Sequence, residues 1–281
     1  MKGKFIMIAS SKGGVGKSTA ALGISRALRD RGNKVLLVDL DFGNACLDML
    51  LGVQDSVLYT IQDVALGRAA VENVPIKIEE KPPVKRRKKA EIAQEGELWL
   101  LPSAAGGIGC VPSMGGESIL GDFSVCCIVT NACELLKADF VVIDTGAGVN
   151  SAVYAAATLA DTALVVTGQT PVALRSAQTT VSRLSQLEID DIRLIVNSFD
   201  AEGVIEDDRK GLFAVIDESR AVLGGVVPYD YSLLLSHERS SVGGGEGDIA
   251  FSNIAERLLG NSVPLFRGIK RMRRLKKKIC L

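Results

Sequence analysis

Residues 5–19 read Phe5-Ile6-Met7-Ile8-Ala9-Ser10-Ser11-Lys12-Gly13-Gly14-Val15-Gly16-Lys17-Ser18-Thr19. An apolar run, a glycine-rich turn and Gly-Lys-Ser ahead of Ala20 to Leu28 predict a strand, a loop and a helix in succession. That is the layout of a P-loop, built to hold a nucleoside triphosphate. Its glycines let backbone N–H groups turn toward one anion, and the N-terminus of the next helix adds its dipole. Lys17 then reaches the β- and γ-phosphates, and the Ser18 hydroxyl sits on Mg²⁺.

The loop departs from the standard spacing at its front. Ser11 stands where the first glycine would fall, and a second lysine, Lys12, follows it. A cation there is poorly placed for the phosphates its own loop wraps but suits a phosphate held by another subunit. A solvated surface charge is the plainer reading of Lys12.

Working outward, apolar runs alternate with helical patterns, which predicts a mostly parallel sheet with helices on both faces. Strands are expected at 4–9, 34–38, 98–101, 140–143, 162–167, 193–196 and 224–227, and helices near 18–31, 124–136, 151–159, 172–187 and 247–259. A chain of 281 residues, 47% hydrophobic and 5% aromatic, suits one α/β domain with buried Val, Ile and Leu strands. No apolar segment reaches the roughly 18 residues of a membrane span. The first residues form a strand and a P-loop rather than a signal peptide, so a cytoplasmic protein with reduced thiols is expected. Cys126, Cys127 and Cys133 fall in one predicted helix and read as buried apolar thiols, because no Cys-x-x-Cys pair or nearby histidine supports a metal.

Acids at strand ends supply the remaining chemistry. Asp144 closes the apolar run Phe140 to Ile143 and precedes Gly146 and Gly148. A carboxylate there can hold Mg²⁺ opposite Ser18, and the glycines let the backbone swing toward a γ-phosphate. Asp39 and Asp41 end the second strand; Asp39 reads either as a further Mg²⁺ or switch residue or as a strand-end cap.

Lys12-Gly13-Gly14-Val15-Gly16-Lys17-Ser18-Thr19 resembles the deviant Walker A loop of the MinD/ParA family of dimerising ATPases. Val35 to Asn44 looks like the family's second strand and switch I, and Phe140 to Gly148 like its Walker B strand and switch II. Segments 226–230 and 253–260 are similar to late segments of the MinD-like septum site-determining members, and the likeness covers most of residues 1–264. It implies ATP and Mg²⁺ as cofactors, with the loop residues 12–19, Asn44 and Gly148 at the phosphates. It further implies Asp41 as the residue positioning the attacking water, and Asn197, Pro228 and Tyr229 around the base. An ATP-dependent homodimer is implied too, with Lys12 acting across the interface and a protein partner stimulating turnover. Ser198 stands where an arginine often follows the base-contacting asparagine. Thr145-Gly146 is similar to flagellar-number regulators rather than to the Ser-Pro pair of many MinD-like proteins. A DNA-binding partition ATPase and a non-hydrolysing nucleotide-binding scaffold are the other readings of the same motifs.

The formal net charge of +0 hides an asymmetry. Eight of the 33 bases lie between Leu265 and Leu281 without an acid, leaving 25 bases against 33 acids, a net of −8, in residues 1–264. Leu265, Ile269, Met272, Leu275 and Ile279 fall on one face of a helix, so 265–281 reads as a basic amphipathic tail beyond Pro264. Three uses fit it: an anchor lying on the anionic inner face of the cell membrane, an arm for nucleic acid, or a helix docked on the acidic body. Ile76 to Glu97, with Lys85-Arg86-Arg87-Lys88-Lys89, reads as a mobile basic loop, and Gly243-Gly244-Gly245 as another.

Overall fold

The computed structural model describes residues 3–80, 95–104, 122–148, 151–206, 209–234 and 245–279. The elements run β1 (Lys4–Ala9), α1 (Lys17–Arg29), β2 (Lys34–Leu40), α2 (Leu47–Leu51), α3 (Ile61–Ala65), β3 (Ile76–Lys77), β4 (Glu97–Leu101) and α4 (Asp122–Leu136). They continue β5 (Phe140–Thr145), α5 (Ser151–Leu159), β6 (Thr162–Thr167), α6 (Pro171–Gln186), β7 (Ile192–Phe199), α7 (Ala201–Ile205) and α8 (Leu212–Ser219). The chain closes with β8 (Val222–Pro228), α9 (Tyr231–Leu234), α10 (Glu246–Leu258) and α11 (Lys270–Ile279).

Eight strands form one sheet in the order β3-β4-β2-β5-β1-β6-β7-β8. Every pairing is parallel except the β3–β4 edge. The central strands are apolar throughout because helices cover both faces; Phe5 to Ala9 and Val141 to Ile143 are buried. The chain reverses direction of winding at β1, and in such sheets ligands bind at that point beyond the carboxyl ends of the strands. Register fixes what meets there: Ile8 pairs with Asp144, and Asp144 pairs with Asp39.

The expected strands and long helices all form, with ends shifted by a few residues. The sheet has one strand more than expected, and the segment 76–97 is not loop throughout. Ile76–Lys77 pairs antiparallel with Leu100 and Trp99, and Glu97 opens β4. Glu80 is fixed by two guanidiniums, accepting from Arg29 at 2.8 Å and from Arg26. Burial opposes its charge, but the two arginines hold its carboxyl below the usual range. The basic run 85–89 and Gly243-Gly244 lie outside the described residues. Short helices such as α2, α3 and α7 are too brief to show a period in sequence. In α4, Cys133 is buried and Cys126 half-buried, but Cys127 is exposed, which corrects its reading as a core thiol.

The tail forms its helix, as α11, and Pro264 does not free it from the body. Arg257 donates to the carbonyls of Val263 and Pro264 at 3.2 and 3.1 Å, and Asn253 Nδ2 to that of Arg267 at 2.8 Å. The apolar stripe packs into the core beside α7: Phe266, Ile269, Met272 and Ile279 are buried, and Leu265 and Leu275 partly so. Arg267, Lys270, Arg273, Arg274, Lys276, Lys277 and Lys278 face outward. Among the described residues no helix is long and apolar enough to cross a membrane.

Candidate nucleotide site

The loop between β1 and α1 takes the shape its glycines permit. Gly14 and Gly16 have φ of 73° and 90°, in the region where a side chain would be strained. A Cβ on Gly13 or Gly14 would meet no atom within 4 Å, so the loop encloses open space. Gly16 sits at the α1 N-cap with no side chain satisfying the helix, which leaves the first amides of α1 aimed at that space. Val15 and Thr19 are half-buried within the loop and the first turn. Lys17 is buried at 7% exposure, while Lys12 is half-buried at the loop front, apart from Lys17 on the chain but in the same loop.

Opposite α1, Asp144 is the last residue but one of β5, at 1% exposure, with neither carboxylate oxygen in a hydrogen bond of ordinary geometry. Burial drives its pKa up to about 8; Ser18 and Lys17 oppose the rise, and Asp39 and Asp41 add to it. A buried acid with both oxygens open, facing a serine hydroxyl and a lysine, is a donor set suited to a hard divalent cation. The residues present therefore fit Mg²⁺.

Asp39 is placed beside Asp144 but is otherwise engaged. Its Oδ2 accepts from the amides of Cys46 and Leu47, both at 3.1 Å, and its Oδ1 from Asp41 N–H at 3.0 Å. It thus ties the loop 41–46 and the start of α2 to the strand end, the arrangement of the cap alternative. Burial raises its pKa to about 6, against those three amides. Asp41 lies just past β2, its Oδ1 accepting Asn44 N–H at 3.1 Å in a local turn. Asn44 is exposed on that turn. Thr145 is fixed by donating to the Ile8 carbonyl at 2.9 Å, and Gly148 has a φ of 92°.

Asn197, Pro228 and Tyr229 gather at the carboxyl ends of β7 and β8. Asn197 Nδ2 donates to the Val15 carbonyl at 2.9 Å, so this residue braces the P-loop directly. The same nitrogen lies 2.1 Å from where a Cβ on Gly16 would be. Tyr229 N–H donates to the Phe199 carbonyl at 3.1 Å beside Pro228, and its ring is largely exposed. Ser198, with φ of 51°, sits in a register shift that turns Asn197 inward.

Three site neighbours were not legible as such. Cys46 approaches Ser18 closely enough to share a hydrogen bond; burial raises its pKa and Ser18 opposes this. Gln169 bridges two loops, accepting from Asp200 N–H at 2.6 Å and donating to the Lys210 carbonyl at 3.0 Å. Thr180 of α6 meets Ser11 at the loop front. Nothing in the local sequence marks these residues, since each partner comes from a distant element.

Comparisons with known proteins agree with this geometry. The chain is 29% identical over 272 residues to the septum site-determining protein MinD of Synechocystis, covering 93% of this chain and 91% of that one. It is 29% identical to Bacillus subtilis MinD over 270 residues, covering 94% and 91%. The fold superposes on MinD in the MinC:MinD cell division protein complex of Aquifex aeolicus with a TM-score of 0.76 at 27% identity, covering 93% and 98% of the two chains. Residues 6–241 match the CobQ/CobB/MinD/ParA nucleotide binding domain, and the chain belongs to that family.

Proposed function

We propose that the protein is an Mg²⁺-dependent ATPase whose nucleotide state governs pairing of two subunits and attachment to an anionic membrane surface, in the spatial regulation of bacterial cell division. The open, buried carboxylate of Asp144 facing Ser18 and the α1 amides is the observation that carries this reading. Amides 13–19 and Lys17 cradle the phosphates, while Ser18 and Asp144 would hold Mg²⁺, whose charge would offset that of the phosphates. Asp41 orients the attacking water from the turn it shares with Asn44. Asp39 holds that turn in place, and Asn197, Pro228 and Tyr229 line the side where the base lies. Lys12 of each subunit reaches the phosphates of the other, so closure needs two copies. A protein partner raises the slow basal turnover that positioning alone provides; the Aquifex relative was determined with MinC.

The membrane step uses the stripe on 265–279, which is buried on the body here, so lipid and body compete for one face. Each cation near an anionic leaflet contributes about 1 kcal/mol, and two tails on one dimer bind together far better than one. The decisive experiment is size-exclusion chromatography with light scattering, and liposome sedimentation, each with ATP and with ADP. Dimers and sedimentation with ATP alone support the reading. ATP-independent monomers would refute the switch, and ATP-dependent sedimentation that survives removal of 265–281 would refute the anchor.

A second reading follows from the docked tail. With its stripe inward, α11 shows solvent a ridge of cations, which suits a polyphosphate backbone as in a partition ATPase. DNA binding that strengthens as salt falls, without liposome binding, would select it.

A further inference from the structure

We infer that Thr180, in the middle of α6, is a positioning residue for ATP turnover, locking the front of the P-loop so that Lys12 leaves the loop in one direction. This rests on the reading of Lys12 as a trans-acting lysine. Thr180 Oγ1 lies 3.0 Å from Ser11 N and 2.7 Å from Ser11 Oγ. Its own hydroxyl proton goes to the Ser176 carbonyl at 2.9 Å, so toward the loop it can only accept. Both the amide and the hydroxyl of Ser11 therefore donate to one oxygen.

That contact explains a departure visible in the sequence. The standard loop has glycine at this position; here the side chain supplies a second bond to α6, the helix that follows β6, the strand beside β1. The lock passes directly to Lys12. Lys12 N–H donates to Ser10 Oγ at 3.2 Å, and Ser10 Oγ–H is 3.3 Å from the Lys12 carbonyl, so residues 10–12 form one small turn pinned at its centre.

Packing does not account for it. Ser10, Ser11 and Thr180 line a cavity of about 380 Å³ together with Gly148 and Arg183. Replacing the hydroxyl by a methyl there neither empties nor overfills a packed core, and the Ser176 carbonyl stays within the helical ladder. What is lost is the acceptor for Ser11. Among the described residues the hydrogen bonds of Thr180 go to Ser11 and Ser176 rather than to the phosphate cradle of residues 13–18, so nucleotide affinity and turnover respond differently.

The test compares Thr180→Val, Thr180→Ser and Lys12→Ala with wild type in kcat, KM for ATP, fluorescent-nucleotide affinity and ATP-driven dimerisation. Thr180→Val is expected to keep nucleotide affinity within about threefold but to lose at least about tenfold in kcat together with ATP-driven dimerisation. Thr180→Ser restores both. The proposal is overturned if Lys12→Ala is inactive while Thr180→Val turns over as wild type, or if Thr180→Val loses nucleotide affinity and melting temperature in step with kcat. Wild-type turnover in Lys12→Ala instead removes the trans-acting lysine itself, and the proposal with it.

Discussion

Replacing Asp144 by asparagine is expected to stabilise the nucleotide-free protein while abolishing its response to Mg²⁺ and ATP. The side chain is 1% exposed, neither oxygen is in a hydrogen bond of ordinary geometry, and burial, against Ser18 and Lys17, has raised its pKa from 3.8 to about 8. The folded state thus binds a proton that the unfolded chain has released. This contribution to stability is complete below about pH 4 and is lost as pH rises through about 8. At pH 7 roughly three pH units separate the solution from the unfolded pKa, and at about 1.4 kcal/mol per unit the cost is on the order of 4 kcal/mol. Asparagine has nearly the same shape and carries no such cost. A gain of about 2–4 kcal/mol corresponds to a rise of about 5–10 °C in melting temperature for a chain of this size. The assay is thermal unfolding in EDTA at several pH values, repeated with Mg²⁺ and a non-hydrolysable ATP analogue. The Asp144→Asn advantage should grow from about pH 5 to 8, and the wild type alone should gain from metal with nucleotide. A variant less stable than wild type at pH 7 in EDTA, or a difference that ignores pH, would refute the burial argument.

Asp41→Ala should lower phosphate release by at least about a hundredfold with ATP affinity retained; equal loss of both in a filter-binding assay would make Asp41 a binding residue instead. Gly16→Ala places a Cβ 2.1 Å from Asn197 Nδ2 at a φ of 90°, so ATP binding by calorimetry should vanish, and wild-type affinity would count against the loop geometry. Ile269→Ala removes a side chain buried at 0% exposure and should cost about 2–5 kcal/mol in denaturant unfolding. An unchanged midpoint would mean that α11 does not rest on the body.

Much of this protein was legible in order along the chain. A glycine-rich turn between an apolar strand and a helix has few other uses, because the φ values of Gly14 and Gly16 and the open amides of α1 are local properties. The apolar runs without polar alternation already meant strands covered on both faces, and the acids at their ends meant a site at the carboxyl edge. The long helices followed from their period. The antiparallel edge strand was hidden because two residues carry no pattern, and Glu80 became fixed only by meeting Arg26 and Arg29 from α1.

What tertiary structure alone decided is which polar group was left open and which was taken. Asp39 and Asp144 read alike as strand-end acids, yet the segment after β2 folds back to set three amides on Asp39, whereas Asp144, in register beside it, faces Ser18 and Lys17 from α1. Thr180 lies 169 positions from Ser11 and reaches it only because α6 packs beside β1's end. The stripe of α11 was visible in its spacing, but period shows only that a face is apolar. Whether body, lipid or another chain covers that face depends on complementary surfaces formed far away in sequence, and here the body does.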